Sequence, residues 1–128
     1  MINRIYLAGP WIARAEASRI ASNLESLGYT ITHPWWDYDG EGEDKEDLAF
    51  LRSCAEADVK GVETADAVVV YNTAKSEGKA VEQGIAIARG IPVICWTPFE
   101  KPSSNIFHYL PNYTHVKTFD EVLEAIGE

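Results

Sequence analysis

The chain has 128 residues, the length of one ordinary domain, and 46% of them are hydrophobic, which is enough to build a core. A net charge of −9 disfavours binding to polymeric DNA or RNA, which requires clustered Lys and Arg, although a local field still permits a small anionic ligand. The two cysteines have no metal or redox spacing, and the first residues resemble neither a signal peptide nor a membrane span. We therefore expect a cytoplasmic protein without a membrane partner.

Strand-like and helix-like segments alternate along the chain. In chain order, the apolar spacing predicts a strand over 2–8, a helix over 12–27 that ends at Gly28, a strand over 29–33 and a helix over 48–62. These are followed by a strand over 67–71, a helix over 78–89, a strand over 91–96, a short strand over 113–117 and a final helix after the capping box Thr118–Glu121. The acidic run 37–47 is interpreted as a solvated, mobile loop. This alternation predicts a single α/β domain over residues 1–128, with a flavodoxin-like, doubly wound, five-stranded parallel sheet.

In a sheet of this kind, ligands bind beyond the carboxyl ends of the strands. Three of the four predicted ends that we considered carry tryptophan, namely Trp11, the pair Trp35–Trp36 and Trp96. We interpret them as an aromatic pocket for a flat ligand such as a nucleobase. No P-loop, dinucleotide fingerprint or metal-ligand spacing occurs, and we expect neither a metal nor an organic cofactor.

Asp58 is a carboxylate on a face that should be apolar. Leu51, Ala55 and Val62 predict the buried face of the helix over 48–62, and Asp58 lies on the same side. Burial raises the pKa of a carboxyl group, which suits acid–base chemistry. The alternative is a structural role, in which Asp58 accepts hydrogen bonds from backbone N–H groups.

Glu82 is a second carboxylate in an unexpected position, close to the start of the helix over 78–89. The residues that predict the buried face of this helix are Val81, Gly84, Ile85 and Ala88. Glu82 lies at the edge of that face, either as a solvated partner of Lys79 or as a functional group that small neighbours leave accessible. Two carboxylates beside an aromatic pocket suggest cleavage of a glycosidic bond, because a carboxylate can stabilise or trap an oxocarbenium-like transition state.

Four segments in the same order carry a family resemblance: "IYLAGP" (5–10), "ADVKGVETADAVVV" (57–70), "SEGKAVEQGIAIARGIPVI" (76–94) and "NIFHYLP" (105–111). Together they resemble the nucleoside 2-deoxyribosyltransferase superfamily, which includes nucleoside deoxyribosyltransferases and 2'-deoxynucleoside 5'-monophosphate N-glycosidases. The resemblance implies an enzyme that cleaves the N-glycosidic bond of a 2'-deoxynucleoside or its 5'-monophosphate through a covalent glycosyl-enzyme.

The resemblance also implies roles for particular residues. Glu82 matches the family's nucleophile, and Asp58, eight residues before Asp66, matches an aspartate that would orient the nucleophile and pass a proton to the leaving base. Tyr6 matches an aromatic residue beside the ligand. The implied substrate-binding residues are Tyr6, Gly9, Trp11, Trp35, Trp36, Ser76, Gly78, Asn105 and His108.

In the resemblance, Ser76 occupies the position that contacts the 5' end of the substrate. The transferases have an aspartate at this position, which holds the 5'-hydroxyl group, whereas the N-glycosidases have a serine that contacts a 5'-phosphate. Ser76, with Lys75 and Lys79 at a helix N-terminus, favours the phosphate. Pro10 and Ile12 replace the serine and arginine of the N-glycosidases, so both substrates stay open. The acceptor, water or a second base, also stays open.

The family usually completes its site with a C-terminal segment of a neighbouring subunit. Asn105, Phe107 and His108 would form that segment here, which predicts a homo-oligomer with shared active sites. Two other classes of function were considered. A non-catalytic nucleotide sensor would not need Glu82 and Asp58 together, and a flavodoxin-like electron carrier would be yellow when purified.

Overall fold

The computed structural model describes residues 1–38, 47–99 and 103–127, in which helices cover a five-stranded sheet. The strands are β1 (Arg4–Ala8), β2 (Thr30–Ile31), β3 (Ala67–Tyr71), β4 (Val93–Trp96) and β5 (Tyr113–Val116). The helices are α1 (Arg14–Ser26), α2 (Leu48–Glu63), α3 (Glu77–Arg89) and α4 (Phe119–Gly127), and short 3-10 turns cover Trp11–Ala13, Trp35–Asp37 and Ile106–Tyr109. Most of the predicted acidic loop, residues 39–46, lies outside the described residues. None of the helices in the described ranges has both the length and the hydrophobicity that a membrane crossing requires.

All strand pairs are parallel, and the strand order is β2-β1-β3-β4-β5. This order is flavodoxin-like and confirms the predicted fold. The centre of the sheet is the β1–β3 pair, and the side chains of residues 5–8 and 67–70 are completely buried. The chain turns from β1 to β2 on one side and then crosses to β3 on the other. The carboxyl ends of β1 and β3 therefore meet at the switch point, where such sheets bind ligands.

Local signals begin and end the helices where the sequence predicts. Gly28, just after α1, has a φ of 100°, which glycine adopts without strain. At the start of α4, the Glu121 N–H donates to Thr118 Oγ1 at 3.1 Å and the Thr118 N–H donates to Glu121 Oε1 at 3.0 Å, as in a capping box. Ser76 is the N-cap of α3, because its Oγ accepts a hydrogen bond from the Lys79 N–H at 3.2 Å.

The inward face of α2 differs from the predicted one. Val62 is buried as predicted, but Leu51 is 42% exposed and Ala55 is exposed as well. The inward side instead carries Asp58 and Gly61, since the missing side chain of the glycine lets this part of the helix approach the sheet closely. Apolar spacing along α2 therefore predicted the helix and the inward direction of Asp58 and Val62 correctly, and the burial of Leu51 and Ala55 incorrectly.

The inward face of α3 also differs from the prediction. Val81 is 60% exposed, and Gly84 and Ala88 are exposed too. The residues of α3 that are buried are Lys79, Glu82, Gln83 and Ala86. Charged groups occupy the inward side because other elements supply their hydrogen-bond partners. The apolar side of α3 and the exposed Leu48, Leu51 and Val59 of α2 form what we call the outer apolar face.

Candidate active site

Glu82 is joined to β1 by a short hydrogen bond. The Tyr6 hydroxyl group donates to Glu82 Oε2 at 2.6 Å, although 76 residues separate the two in sequence. Tyr6 is 0% exposed and Glu82 is 8% exposed, which does not support the alternative of a solvated Glu82 paired with Lys79. Burial, and then the charge of Glu82, raise the pKa of Tyr6 well above its usual value, so that its hydroxyl group stays a donor.

Asp58 lies beside Glu82 and is held by the segment that follows β2. The Tyr38 hydroxyl group donates to Asp58 Oδ1 at 2.6 Å and lies 3.0 Å from the carbonyl oxygen of Cys54. His33 Nε2 lies 2.6 Å from the same hydroxyl oxygen and 3.5 Å from Asp58 Oδ1. Within the described part of the chain, the groups that hold Asp58 are side chains rather than backbone N–H groups, which does not support the capping alternative.

The carboxyl groups of Asp58 and Glu82 lie close enough to influence each other's ionisation. Burial raises the pKa of Glu82 to about 8, and the charge of Asp58 adds to this effect while the Tyr6 hydroxyl opposes it. Burial also raises the pKa of Asp58, against the lowering effects of Tyr38 and His33. Near neutral pH the raised pKa favours the protonated form of Glu82. A pair in this state can supply one nucleophilic carboxylate and one acid.

Gly61, one turn after Asp58 on α2, makes this arrangement possible. A Cβ atom at Gly61 would lie 2.9 Å from His33 Cβ and 2.9 Å from Tyr6 Cδ1, closer than side chains tolerate. Gly61, Tyr38 and His33 were not identified as site residues from the sequence. One signal was available, because His33 is the last residue of a predicted strand, at the edge of the sheet where ligands bind.

Lys79 also lies on the inward side of α3, but its side chain reaches the segment that follows β3. Its Nζ atom donates to Asn72 Oδ1 and to the carbonyl oxygen of Ala74, each at 2.6 Å. Lys79 is only 5% exposed, and burial lowers the pKa of its ammonium group. Among the residues that the structure describes, no carboxylate pairs with this ammonium group, so its partners are neutral oxygens.

The Lys79 side chain borders a cavity of about 640 Å³ at the carboxyl ends of β3 and β4, which we call the lysine cavity. The polar residues that line it include Asn72, Thr73, Lys75, Ser76, Thr97, Ser103, Asn105 and His108. His108 is 5% exposed, and its Nδ1 lies 2.7 Å from Ser103 Oγ. Asn105 and His108, predicted to complete a neighbour's site, thus lie beside the Ser76 of their own chain.

Nowhere in the described ranges do three His, Cys, Asp or Glu side chains form a group that could hold a metal ion.

The tryptophans are spread over several surroundings rather than lining one pocket. Trp35 is 5% exposed and its Nε1 donates to the carbonyl oxygen of Leu7 at 2.6 Å, so its ring belongs to the core. Trp36 lines a separate cleft of about 350 Å³ against α1. The ring of Trp11 packs 6.2 Å from that of Trp35, and a Cβ atom at Gly9 would lie 3.6 Å from Trp35. Binding of a base by these residues stays a prediction, for which Trp35 would have to leave the core.

Residues 5–123 match the family model described as nucleoside 2-deoxyribosyltransferase. The chain belongs to this family. Among solved structures, the CMP N-glycosidase BcmB from Clostridium botulinum is similar, with a TM-score of 0.61, 20% sequence identity and a match that covers 98% of each chain. At this identity the likeness establishes the fold. A comparison with curated proteins gives no match.

Membership of the nucleoside 2-deoxyribosyltransferase family makes the chain an enzyme of N-glycosidic chemistry that acts on small nucleosides or nucleotides. The family match spans both sides of the site, since it includes Tyr6 on β1, Asp58 on α2 and the whole of α3.

Proposed function

We propose that this enzyme cleaves the N-glycosidic bond of 2'-deoxynucleoside 5'-monophosphates, with Glu82 as the nucleophile and Asp58 as the acid–base group. The observation that carries the proposal is the buried Glu82, hydrogen-bonded to Tyr6, beside the half-buried Asp58 at the switch point of the sheet. Cleavage through a covalent intermediate requires one carboxylate that attacks and one group that protonates the leaving group. A pair that holds one proton meets both requirements.

The first half of the reaction begins with the shared proton. Its transfer from Glu82 to Asp58 gives an ionised nucleophile and a protonated acid in one step. A Glu82 oxygen then bonds to the anomeric carbon as the bond to the base breaks, and Asp58 gives its proton to the base nitrogen. Tyr6 orients Glu82 through the 2.6 Å hydrogen bond to Oε2.

The second half of the reaction removes the sugar from Glu82. The Asp58 carboxylate accepts a proton from water or from a second base, and this acceptor forms a bond with the anomeric carbon as Glu82 leaves as a carboxylate. The proton that Asp58 has gained then returns to Glu82, which restores the starting pair. Water as the acceptor gives a hydrolase and a second base gives a transferase, with the same two residues in the same roles.

We assign the 5'-phosphate to the lysine cavity. Lys79 supplies a buried positive charge one turn of α3 before Glu82, and no carboxylate among the described residues forms an ion pair with it, although Glu77 also lines the cavity. Ser76 adds a hydroxyl group at the N-terminus of α3, where the helix dipole also favours an anion. An aspartate in place of Ser76 would repel a phosphate there, which distinguishes a monophosphate from a free nucleoside.

We also propose a homo-oligomer with shared active sites. The 3-10 turn Ile106–Tyr109 borders the lysine cavity and exposes large apolar side chains, among them Phe107 at 58%. The ion pair between Arg89 and Glu63 places α3 alongside α2, so that the exposed Val81 and Val59 belong to one outer apolar face. A second copy of the chain would remove such surfaces from water. Light scattering is expected to give at least twice the mass of the chain, and Val81→Asp is expected to reduce it.

The decisive experiment is a panel of 2'-deoxynucleosides, their 5'-monophosphates and CMP, each incubated with and without free bases, followed by chromatographic separation of the products. We expect base release from at least one deoxynucleoside 5'-monophosphate, faster than from the matching nucleoside. Ser76→Asp is expected to reverse this preference. A wild-type preference for the free nucleoside would contradict the phosphate assignment and leave the cleavage chemistry standing.

The role of Glu82 is tested separately. Glu82→Gln keeps the size of the side chain and is expected to lose at least about a thousandfold in kcat, because a covalent nucleophile has no substitute. Mass spectrometry of rapidly quenched wild-type enzyme should detect an adduct with the mass of the sugar phosphate, and this adduct should be absent from the variant. Near-normal turnover by folded Glu82→Gln would contradict the mechanism.

A further inference from the structure

A chain of hydrogen-bonding groups continues outward from Asp58, on the side away from Glu82. Tyr38 Oη lies 2.6 Å from Asp58 Oδ1 and 2.6 Å from His33 Nε2. A phenol has a single proton, so a Tyr38 that donates to Asp58 accepts its second hydrogen bond from His33. The His33 side chain is 21% exposed, which lets it exchange protons with water.

The surroundings of Asp58 contain few groups that can change charge. Those that the structure places around it are Cys54 on its own helix, His33 and Tyr38 after β2, Tyr6 on β1 and Glu82 on α3. Of these groups, His33 is the one that can become positive, and it lies 3.5 Å from Asp58 Oδ1. Histidine ordinarily gains and loses its proton between about pH 5 and 8, the range in which enzymes work.

We propose that His33 and Tyr38 are positioning residues that decide, through Asp58, which of the two carboxyl groups holds the shared proton. This inference rests on the proposed function of Glu82 and Asp58. A positive His33 attracts the negative charge of Asp58 and keeps the proton on Glu82, where it blocks nucleophilic attack. When His33 releases its proton to water, Asp58 becomes the better base and takes the shared proton from Glu82. The pair is then ready, with Glu82 ionised and Asp58 protonated.

Tyr38 transmits this effect without losing its own proton. Burial, and then the hydrogen bond to Asp58, raise the pKa of Tyr38 far above its usual value, so that it stays a donor throughout. Its donation fixes the position of Asp58 Oδ1. The same direction is seen at Asp58, where the Tyr38 hydrogen bond and the His33 charge both lower the pKa against the effect of burial.

The first test uses pH profiles of kcat, measured from pH 5 to 9 with the 5'-monophosphates of the four common deoxynucleosides. His33→Gln keeps a side-chain N–H that can donate to Tyr38 but cannot become positive. We expect its activity at pH 5.5, relative to that at pH 7.5, to rise about tenfold above the wild-type ratio, since one pKa unit corresponds to a factor of ten. Tyr38→Phe should shift the acidic limb in the same direction, whereas Tyr29→Phe, distant from the pair, should follow the wild type. A purely structural role would lower kcat without moving the acidic limb, and that result would overturn the proposal.

The second test does not depend on activity. NMR can follow the titration of the His33 ring in the wild type and in Asp58→Asn. Asp58→Asn removes a charge that lies 3.5 Å from His33 Nε2, so we expect the His33 titration to differ between the two proteins. An unchanged His33 titration would overturn the proposal even if the pH profiles shifted. If no monophosphate releases its base but the His33 titration still responds to Asp58→Asn, the coupling stands and the proposed function fails.

Discussion

Two regions along the inward face of helix α3 have opposite electrostatic character. On one side, Glu82 joins Asp58, Tyr6 and Tyr38 in a cluster of acidic and phenolic groups. On the other side, the ammonium group of Lys79 is held by neutral oxygens in the lysine cavity. Lys79 and Glu82 are three residues apart on one helix, and both are buried.

The different partners of these two groups explain why a buried lysine and a buried glutamate so close in sequence do not neutralise each other. Residues three apart on a helix can form an ion pair, but such a pair gains little at a surface and leaves neither charge available. Here each charged group points to a different strand of the sheet and finds its partners there. The positive charge and the proton-holding pair are therefore both free to act on a ligand, and each can be removed without the other.

The largest effect is expected from removing the acid on the carboxylate side. Asp58→Asn should lower kcat about a thousandfold, because it removes the proton carrier while preserving the shape of the side chain. Thermal unfolding should show little loss of stability, since a buried carboxyl group with a raised pKa contributes no favourable charge at neutral pH.

Asp66→Asn is the matched control for Asp58→Asn. Asp66 Oδ2 accepts hydrogen bonds from the N–H groups of Asn3 at 2.8 Å and Arg4 at 2.9 Å, and these hydrogen bonds lower the pKa of Asp66. We expect this variant to keep kcat and to lose stability at neutral pH. If Asp58→Asn and Asp66→Asn had the same effects on kcat and on stability, Asp58 would have no catalytic role that distinguishes it from the structural Asp66.

The next largest effect is expected from removing the positive charge of Lys79. Lys79→Met should lower kcat/KM about a hundredfold for a deoxynucleoside 5'-monophosphate, because a buried ammonium group interacts strongly with a phosphate. The same variant should leave kcat/KM for the free nucleoside within a fewfold of the wild type. Lys75→Met provides the comparison, since Lys75 lines the same cavity but is exposed and more screened. Equal losses for both lysines would show that burial of Lys79 does not matter.

A smaller effect concerns stability and pH on the carboxylate side. Burial raises the pKa of Glu82 from 4.5 to about 8, so its contribution to stability is present below pH 4.5 and is lost as the pH rises through 8. Glu82→Gln cannot ionise, and its advantage over the wild type should grow by about 2 kcal/mol between pH 6.5 and 8.5. Thermal unfolding at several pH values measures this difference. Glu25→Gln, at an exposed site on α1, is the control and should show no such dependence on pH. If the stability difference between Glu82→Gln and the wild type did not change with pH, the carboxyl group of Glu82 would ionise as easily in the folded protein as in the unfolded chain.

The smallest effect is expected at the contact that brings the carboxylate cluster together. Gly61→Ala should destabilise the fold by about 1–2 kcal/mol and lower kcat, because a Cβ atom there meets Tyr6 and His33 at 2.9 Å. Gly84→Ala, on α3, meets nothing within 4 Å and should be stabilising, since alanine favours helix over glycine. Denaturant unfolding compares both variants at a concentration where they elute like the wild type. A stabilising Gly61→Ala would mean that α2 can move away from β1 without cost.

The alternation of strands and helices was predictable because it depends on local patterns. The strand over 67–71 has the predicted bounds, and the capping box at Thr118 begins α4. The burial of the first part of α2 and of the apolar side of α3 was predicted incorrectly for a physical reason. Apolar spacing assumes that the core of one chain covers every apolar face, whereas Val81 and Leu51 lie on an outer face and Glu82 turns inward.

The chemistry of the site was only partly predictable. Glu82 and Asp58 were identified as candidates, and the structure brings them together. Their partners could not be derived from spacing, because the contact between Tyr6 and Glu82 joins segments 76 residues apart. Lys79 was expected near a phosphate as one of two flanking lysines. Its burial, which separates it from Lys75, depends on the approach of Asn72 and Ala74 and has no signature in the local sequence.

Because Lys79 and Glu82 lie on the same helix, the distance between their positions along the helix axis is fixed. Three residues of α-helix advance about 4.5 Å along the axis, and a helix turn packed against a sheet neither stretches nor compresses readily. Under the proposed function, α3 is a rigid spacer between the group that holds the phosphate and the group that attacks the sugar. A phosphate on the 5' carbon then brings the anomeric carbon to Glu82, whereas a 3'-phosphate on the same nucleoside does not. Discrimination between these regioisomers follows from the stiffness of one helical turn and requires no contact with the base.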